Sequence, residues 1–374
     1  LMELDPSDFK PRLRDGVDVY LEDDTTIVFV YLASRKRLTV RCHPLLAQAL
    51  ALMTGECSVA EMEAKLGRES SDPLPPLSLQ KFVSYLKRRG LLVPSDWLER
   101  SDLPPAYVAR LTRQLYFLLD ILEDPNVVLV VQRQIHAANV VVFGVGAVGS
   151  WLCRELVMLG FSRFRLVDPD SVEEADLARH AFAPRQFWGK SKCEVVKNAI
   201  LQVDPEAVVA VHPEPLTPRT DLRDLLKDAD IVINTADEPY IGHTSIALSR
   251  YCVRNGIPLL IAGGFDAHLG SVGELIVPGV TPCADCYSAY FDKALEGWKP
   301  YPHPVSDRRD GFGGLAPLAA FAASTGALMV LRYFINRGSS FAGGRSELQF
   351  EDYSMSSFSV ERDPDCVTCG GLRY

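Results

Sequence analysis

The stretch Asn139-Val-Val-Val-Phe-Gly-Val-Gly-Ala-Val-Gly149 decides how the rest of the chain is read. An apolar run of strand length ends at Gly144, and Gly146 and Gly149 complete G-x-G-x-x-G before a helical pattern from Ser150 to Leu159. Strand, tight turn and helix start in this order make a nucleotide site. A phosphate reaches the free N–H groups of a helix only where no side chain holds the backbone away. The next apolar run, Phe164 to Val167, closes on Asp168, about 20 residues past the turn, where a carboxylate can accept hydrogen bonds from ribose hydroxyls. These residues leave open which nucleotide binds, since an NAD-dependent oxidoreductase shows the same pattern, and so does a purely structural glycine turn.

Outward from this unit the chain alternates as a doubly wound α/β domain does. Ala207 to His212, Ile231 to Asn234, Leu259 to Ala262 and Gly273 to Val277 read as strands, with helices over Arg219 to Lys227 and His243 to Asn255. In an open sheet the carboxyl ends of parallel strands face the ligand. Asp168 and Asp237, each just past such an end, should therefore share a crevice with the glycine loop. Two carboxylates beside a polyphosphate imply a Mg2+ ion between the like charges. Lys192, after Trp188 and Gly189, offers positive charge for the phosphates. Taken singly, each of these is equally an ordinary surface side chain.

Cys283-Ala-Asp-Cys286 and Cys366-Val-Thr-Cys369 form two C-x-x-C knuckles beside the turn residues Pro282, Pro364 and Gly370. Four thiolates close a tetrahedral shell and leave no open position, so the expected site is a structural zinc and not a catalytic one. A redox pair is the rival reading, because the 79 residues between the knuckles exceed the spacing of small zinc ribbons.

Composition bounds the remaining possibilities. With 374 residues, 47% of them hydrophobic, the chain can bury one large core and a smaller one. No window approaches 18 uninterrupted apolar residues, and the opening residues, rich in Asp, Glu and Lys, show no signal-peptide apolar region. A soluble cytoplasmic protein without membrane contact is expected. In that compartment the nine cysteines read as metal ligands and buried thiols. The net charge of -9 argues against a large nucleic-acid footprint.

Residues 1–97 read as a separate α+β domain and 98–374 as the nucleotide-binding one. Val17 to Tyr20, Thr26 to Leu32 and Leu38 to Arg41 have strand character. Helices should follow from His43 to Thr54, from Ser58 to Leu66 behind a Ser58/Glu61 capping box, and from Ser78 to Arg89 with Gly90 as the stop. Leu91 to Val93 reads as a return strand. This winged-helix-like order allows DNA binding, but 13 Lys and Arg against 14 Asp and Glu make the domain non-basic, and peptide binding fits as well. Ser70 to Pro76 should be a loop and Pro94 to Pro105 a linker. Two helices, Tyr107 to Leu122 and Val127 to Ala138, lead into the glycine strand, and Arg110 and Arg113 lie one turn apart on the first.

In order, the glycine loop, Asp168-Pro-Asp170, Asp176-Leu-Ala-Arg179-His180, Gly189-Lys-Ser-Lys192, Ala236-Asp237 and the paired C-x-x-C motifs resemble the ThiF, MoeB and ubiquitin-activating superfamily of adenylating enzymes. The resemblance covers roughly Tyr107 to Tyr374. It implies an ATP- and Mg2+-dependent activation of a carboxylate as an acyl-adenylate, in a homodimer or pseudo-dimer. By position it also implies that Gly144, Gly146, Gly149, Asp168 and Asp170 bind the nucleotide, with Asp168 on the ribose. Arg179 and Lys192 would hold the phosphates and Asp237 the Mg2+. Arg110-Leu-Thr-Arg113-Gln114 resembles the family's leading R-x-x-R-Q, which implies that Arg113 reaches the partner subunit's triphosphate.

Two departures qualify the resemblance. The family's N-L-x-R-Q is here Asp176-Leu-Ala-Arg179-His180, and its D-N is Asp237-Glu238. From Tyr287 to Pro317, where sulfur-transfer and ubiquitin-activating members carry a thioester cysteine, there is none. Ala236-Asp237-Glu238-Pro239 and Tyr251-Cys252-Val253-Arg254 are closest to the peptide-modifying branch that matures microcin C and pantocin. That branch carries an N-terminal domain for the leader of a ribosomal precursor peptide, which implies the same role for residues 1–97. The alternatives are an NAD-dependent oxidoreductase, a DNA-binding regulator, and an adenylyltransferase for a sulfur-carrier or ubiquitin-like protein.

Overall fold

The computed structural model describes residues 9–69, 74–182, 185–264, 270–299, 301, 304, 314–336 and 343–372. The expected loop from Ser70 lies outside them as far as Pro73, and so do parts of the segment from Tyr287 to Pro317. By internal contacts the chain forms two compact units, residues 1–133 and 134–374.

The first unit runs β1 (Arg12–Leu13), β2 (Val17–Asp23), β3 (Thr26–Tyr31), β4 (Arg37–Arg41), α1 (Pro44–Ala49), α2 (Val59–Glu69), α3 (Ser78–Arg88), β5 (Leu92–Val93), α4 (Pro105–Leu122) and the larger part of α5 (Pro125–Ala137). Strands β2, β3 and β4 form an antiparallel meander. Because strand side chains alternate, Ile27, Phe29 and Tyr31 all face inward and are buried with Met62, Phe82 and Leu86. The Ser58/Glu61 capping box forms in both directions, at 2.8 and 3.3 Å. The helix expected from His43 to Thr54 is α-helical only to Ala49 and tightens into a 3-10 turn over Leu50–Leu52. Beyond it the Met53 carbonyl accepts a hydrogen bond from the Leu13 N–H, and Thr54 bridges to Arg12, so the chain must leave the helix to reach β1. Strand β1, paired with β5, is too short to show any periodicity in the sequence.

Within this unit a buried ion pair joins Arg14 to Asp120 on α4. Burial lowers the Arg14 pKa although Asp120 pulls it back up. Removing one partner of such a pair strands a charge and costs about 3–5 kcal/mol. Gln132 links the helices, accepting from Gln114 (2.9 Å) and donating to the Tyr107 hydroxyl (2.8 Å).

The second unit contains β6 (Asn139–Phe143), α6 (Ala147–Met158), β7 (Arg163–Val167), α7 (Lys192–Val203), β8 (Val208–His212), α8 (Leu222–Leu225), β9 (Ile231–Asn234), α9 (Ile241–Arg254), β10 (Leu259–Ile261), β11 (Glu274–Ile276), α10 (Ala284–Ala294), α11 (Ala316–Asn336), β12 (Arg345–Leu348) and β13 (Met355–Phe358). Its main sheet has the order β11-β10-β9-β6-β7-β8, parallel except for the edge strand β11. This is the Rossmann-like α/β arrangement expected, with the strand order reversing between β6 and β9. The near-continuous apolar runs of β6 and β9 reflect burial on both faces.

Two expectations need correction here. Helix α6 begins at Ala147, capped by Gly146, so the glycine loop itself starts the helix. The helix expected over Arg219 to Lys227 shrinks to the four residues of α8. Thr217 and Thr220 tie a turn before it, and Asp228 at φ +59° ends it. Among the described residues α11 is the one helix long and apolar enough to cross a membrane by length and composition, with 44% of its most apolar window buried. It packs on α6, where Gly326 leaves room for Leu152 and Leu260.

Candidate active site and metal centre

The glycine loop closes because its first and third glycines have no room for a side chain. A Cβ on Gly144, at φ +81°, would lie 2.7 Å from Ala236 N, and one on Gly149 would lie 2.2 Å from the Gly144 carbonyl. At Gly146 a Cβ would meet nothing within 4 Å. The first and third glycines thus serve the fold, whereas the second borders open space at the N-terminus of α6, the cradle an incoming phosphate requires.

Asp168, at the end of β7, is buried, and its carboxylate accepts the N–H of Val145 at 2.7 Å and that of Asp170 at 2.8 Å. It therefore clamps the glycine loop to the following turn. Burial raises its pKa against the lowering effect of these two bonds. Lys192 opens α7 and is buried to 7% exposure. Its Nζ lies 3.1 Å from Asp170 and 3.4 Å from Asp176. Burial works against the ammonium, but the carboxylates of Asp170 and Asp176 outweigh it and leave the pKa raised. Asp176 is itself buried, completes a capping box with Glu173, and lies 3.7 Å from Arg179, whose side chain is half exposed. Asp237, just past β9, is exposed and enters no ion pair among the described residues.

The segment from Arg179 to Phe182 is moulded onto α6. Trp151 Nε1 donates to the Arg179 carbonyl at 3.1 Å, the Ala181 N–H donates to Ser150 Oγ at 3.0 Å, and Arg154 lies over both Trp151 and Phe182. This holds Arg179 outward and turns His180 inward, where burial lowers its pKa to about 4.

Gly144, Gly146, Gly149, Asp168, Asp170, Arg179 and Lys192 are thus brought into one neighbourhood, and Ala236 against Gly144 places the Asp237 loop beside it. Arg113 lies on α4 in the first unit, exposed, with Arg110 over the Tyr107 ring. The sequence reading missed Asp176 as the buried partner of Lys192. The Glu173-x-x-Asp176 capping spacing was the signal that Asp176 is held in place.

The four knuckle cysteines converge, with their sulfur atoms all within 4.8 Å of one another. Separations of 3.9 Å (Cys283–Cys286), 3.6 Å (Cys283–Cys366) and 3.5 Å (Cys286–Cys369) match the roughly 3.8 Å edges of a tetrahedron with metal–sulfur bonds of about 2.3 Å. This cluster can hold a metal ion. Cys283 caps α10, where the helix N-terminus favours thiolates. The second knuckle is tied to the first by Thr368, which donates to Asp285 at 2.6 Å, and Arg250 grips the same carboxylate. Gly370 is required, since a Cβ there would lie 2.2 Å from the Pro364 carbonyl.

Comparison with known proteins agrees with this geometry. The profile of the ThiF family matches residues 113–368. The chain belongs to the ThiF family. Among its relatives are the adenylyltransferase and sulfurtransferase UBA4 of Candida albicans, 23% identical over 64% of this chain and 52% of that protein. Another is the vegetative HesA protein of Trichormus variabilis, 26% identical over 64% of this chain and 83% of that one. The chain thus spans about half the length of UBA4. The ThiF fold is shared with E. coli MccB crystallised with ATP, at TM-score 0.69 and 21% identity over 96% of this chain and 99% of that one. It is also shared with PaaA, at TM-score 0.68 and 20% identity over 93% and 99%.

Proposed function

We propose that the protein is an ATP- and Mg2+-dependent adenylating enzyme that activates a carboxylate on a ribosomally made precursor peptide during maturation of a peptide antibiotic. The observation that carries the nucleotide half of this reading is the open space at Gly146, set at a helix N-terminus in a loop that Asp168 holds, with the cations Lys192 and Arg179 gathered on Asp170 and Asp176 in the segment that follows. The peptide half rests on the extent of the fold likeness. It covers 96% of the chain, the first unit included, and one of the MccB structures is a complex with N-formylated MccA.

In this reading residues 1–97 form the winged-helix-like domain that recognises the leader, and 98–374 form the adenylation domain. The edges of the β2-β3-β4 meander suit an extended peptide added as a further strand. A carboxylate oxygen attacks the α-phosphorus of ATP in line, the P–O bond to the leaving group breaks, and pyrophosphate departs. Lys192 and Arg179 exchange their aspartate partners for phosphate oxygens, which supplies fixed positive charge without reorganisation during the reaction. Mg2+ bound at Asp237 would neutralise the departing pyrophosphate. Asp168 keeps the loop closed and faces the ribose together with Asp170, and zinc at Cys283, Cys286, Cys366 and Cys369 would staple the two knuckles.

Arg113 acts from a partner chain in a homodimer. Phe117 (45% exposed) and Ile121 (50%) follow it at helical spacing on α4, an apolar stripe suited to self-association. The activated carboxyl is either a Glu side chain that is then cross-linked or a C-terminus that becomes linked to the nucleotide. A second reading, adenylation of a sulfur-carrier protein, is favoured by the UBA4 relatives. Pyrophosphate release with ATP and a candidate precursor peptide, but not with a sulfur-carrier protein, is the expected result. The reverse preference would establish the second reading.

A further inference from the structure

Three contacts hold the last turn of α4 to the rest of the first unit. The Arg14 guanidinium pairs with Asp120, and both side chains are buried. Lys36, from the turn between β3 and β4, pairs with Glu123. Gly90 lies so close to the Glu123 backbone that a Cβ would come within 2.7 Å of the Glu123 Cα. Arg14 is itself set by the meander. Its guanidinium lies 5.3 Å from the centre of the Tyr31 ring, and the Tyr31 hydroxyl donates to the Arg89 carbonyl at 2.7 Å. Arg14 Nε and Nη1 and Asp120 Oδ2 have no hydrogen-bond partner among the described residues. A buried pair of this kind adds little stability over apolar side chains of the same volume. What it adds is direction. Leu111, Leu115, Leu118 and Leu119 of α4 are buried through apolar contacts, which are non-directional and tolerate small rotations of a helix. Gln114 and Gln132 fix α4 against α5, whereas Arg14 and Asp120 fix it against the meander. Arg113 precedes Asp120 by seven residues, two turns and roughly 10 Å along α4 and on nearly the same side of it, where its side chain is exposed.

We propose that Arg14 and Asp120 are positioning residues for ATP: their buried pair fixes the rotation of α4 against the meander and thereby the aim of Arg113 at the triphosphate. This rests on the adenylation reading, in which Arg113 meets the phosphates from the partner chain. The meander that takes the peptide and the arginine that meets the phosphates are then joined through one ion pair.

Affinities of the full-length protein for ATP and for AMP, measured by calorimetry with Mg2+, test the inference. Arg14→Met with Asp120→Leu replaces the pair by apolar side chains, so this variant should melt near the parent's temperature. It should bind ATP about tenfold more weakly, the worth of one charge-assisted hydrogen bond, with AMP affinity unchanged. Arg113→Ala should show the same selective loss. The three substitutions together should bind ATP no more weakly than Arg113→Ala alone, because effects that act through one residue do not add. Asp120→Asn, which keeps the shape and removes the charge, should give the same selective loss and carries the test if the apolar pair does not fold. Equal ATP affinity in the parent and the pair variants, equal losses for ATP and AMP, or additive losses in the combined variant would overturn the role of the pair alone. A parent that binds no ATP would overturn the adenylation reading and this role with it.

Discussion

The Lys192 ammonium lies 3.4 Å from the Asp176 carboxylate, and both side chains are buried. A charge pair so placed is unlike a surface salt bridge, because removing one member strands the other away from water. Lys192→Met should therefore lower stability by about 3–5 kcal/mol as well as abolish ATP turnover. Lys192→Met with Asp176→Asn together should recover most of the stability and none of the activity. Denaturant titration and a pyrophosphate assay on the parent and these two variants check both halves.

The two outer loop glycines and the middle one should behave differently on substitution. Gly149→Ala would drive a Cβ to 2.2 Å from a backbone oxygen, so it should unfold at visibly lower temperature. Gly146→Ala meets nothing within 4 Å, so it should melt like the parent yet lose ATP affinity, because the new methyl occupies the phosphate cradle.

Much of this was legible in the sequence because the chemistry restricts the residue types. Glycine at 144 and 149 and four convergent thiols have no substitutes, so the loop and the knuckles declare themselves in residue identity. Pairings between distant positions do not. Nothing local to Arg14 or Asp120 says that they meet across 106 residues, and β1 is too short to have a period. Helix α11 is apolar around most of its circumference, which removes the amphipathic signal that marks α3. The inward turn of His180 was hidden for the opposite reason: its position departs from the family pattern, and nothing local in the sequence shows that this ring is buried.

Acid should weaken the fold through that same ring. The folded pKa of His180, about 4, lies below the ordinary value of 6.5. Between these values the unfolded chain binds a proton that the folded chain does not, so stability falls as pH drops from 6.5 toward 4. The expected loss is on the order of 3 kcal/mol across that window. The stability difference between the parent and His180→Gln should change by about that amount over the range, and a constant difference would rule the ring out as the titrating group.

Metal analysis should find about one zinc per chain, and Cys366→Ser should lose the metal and melt well below the parent. A chelator should lower the parent's melting temperature and leave that of the serine variant unmoved. Less than half an equivalent of zinc in pure protein would count against the assignment.

Asp237 is exposed, so Asp237→Ala should keep the fold and lose turnover. Mixing it with inactive Arg113→Ala should restore part of the activity if Arg113 acts across a dimer, because one site of each mixed dimer is then intact. No recovery after demonstrated subunit exchange would place Arg113 in its own chain's site.

The most direct measurement labels the peptide. A precursor whose carboxylate carries heavy oxygen, incubated with the full-length protein, ATP and Mg2+, is analysed by mass spectrometry of the released nucleotide. Adenylation of the peptide carboxylate predicts AMP carrying one heavy oxygen, with pyrophosphate in equal amount. Unlabelled AMP, or ADP with phosphate in place of pyrophosphate, would contradict it.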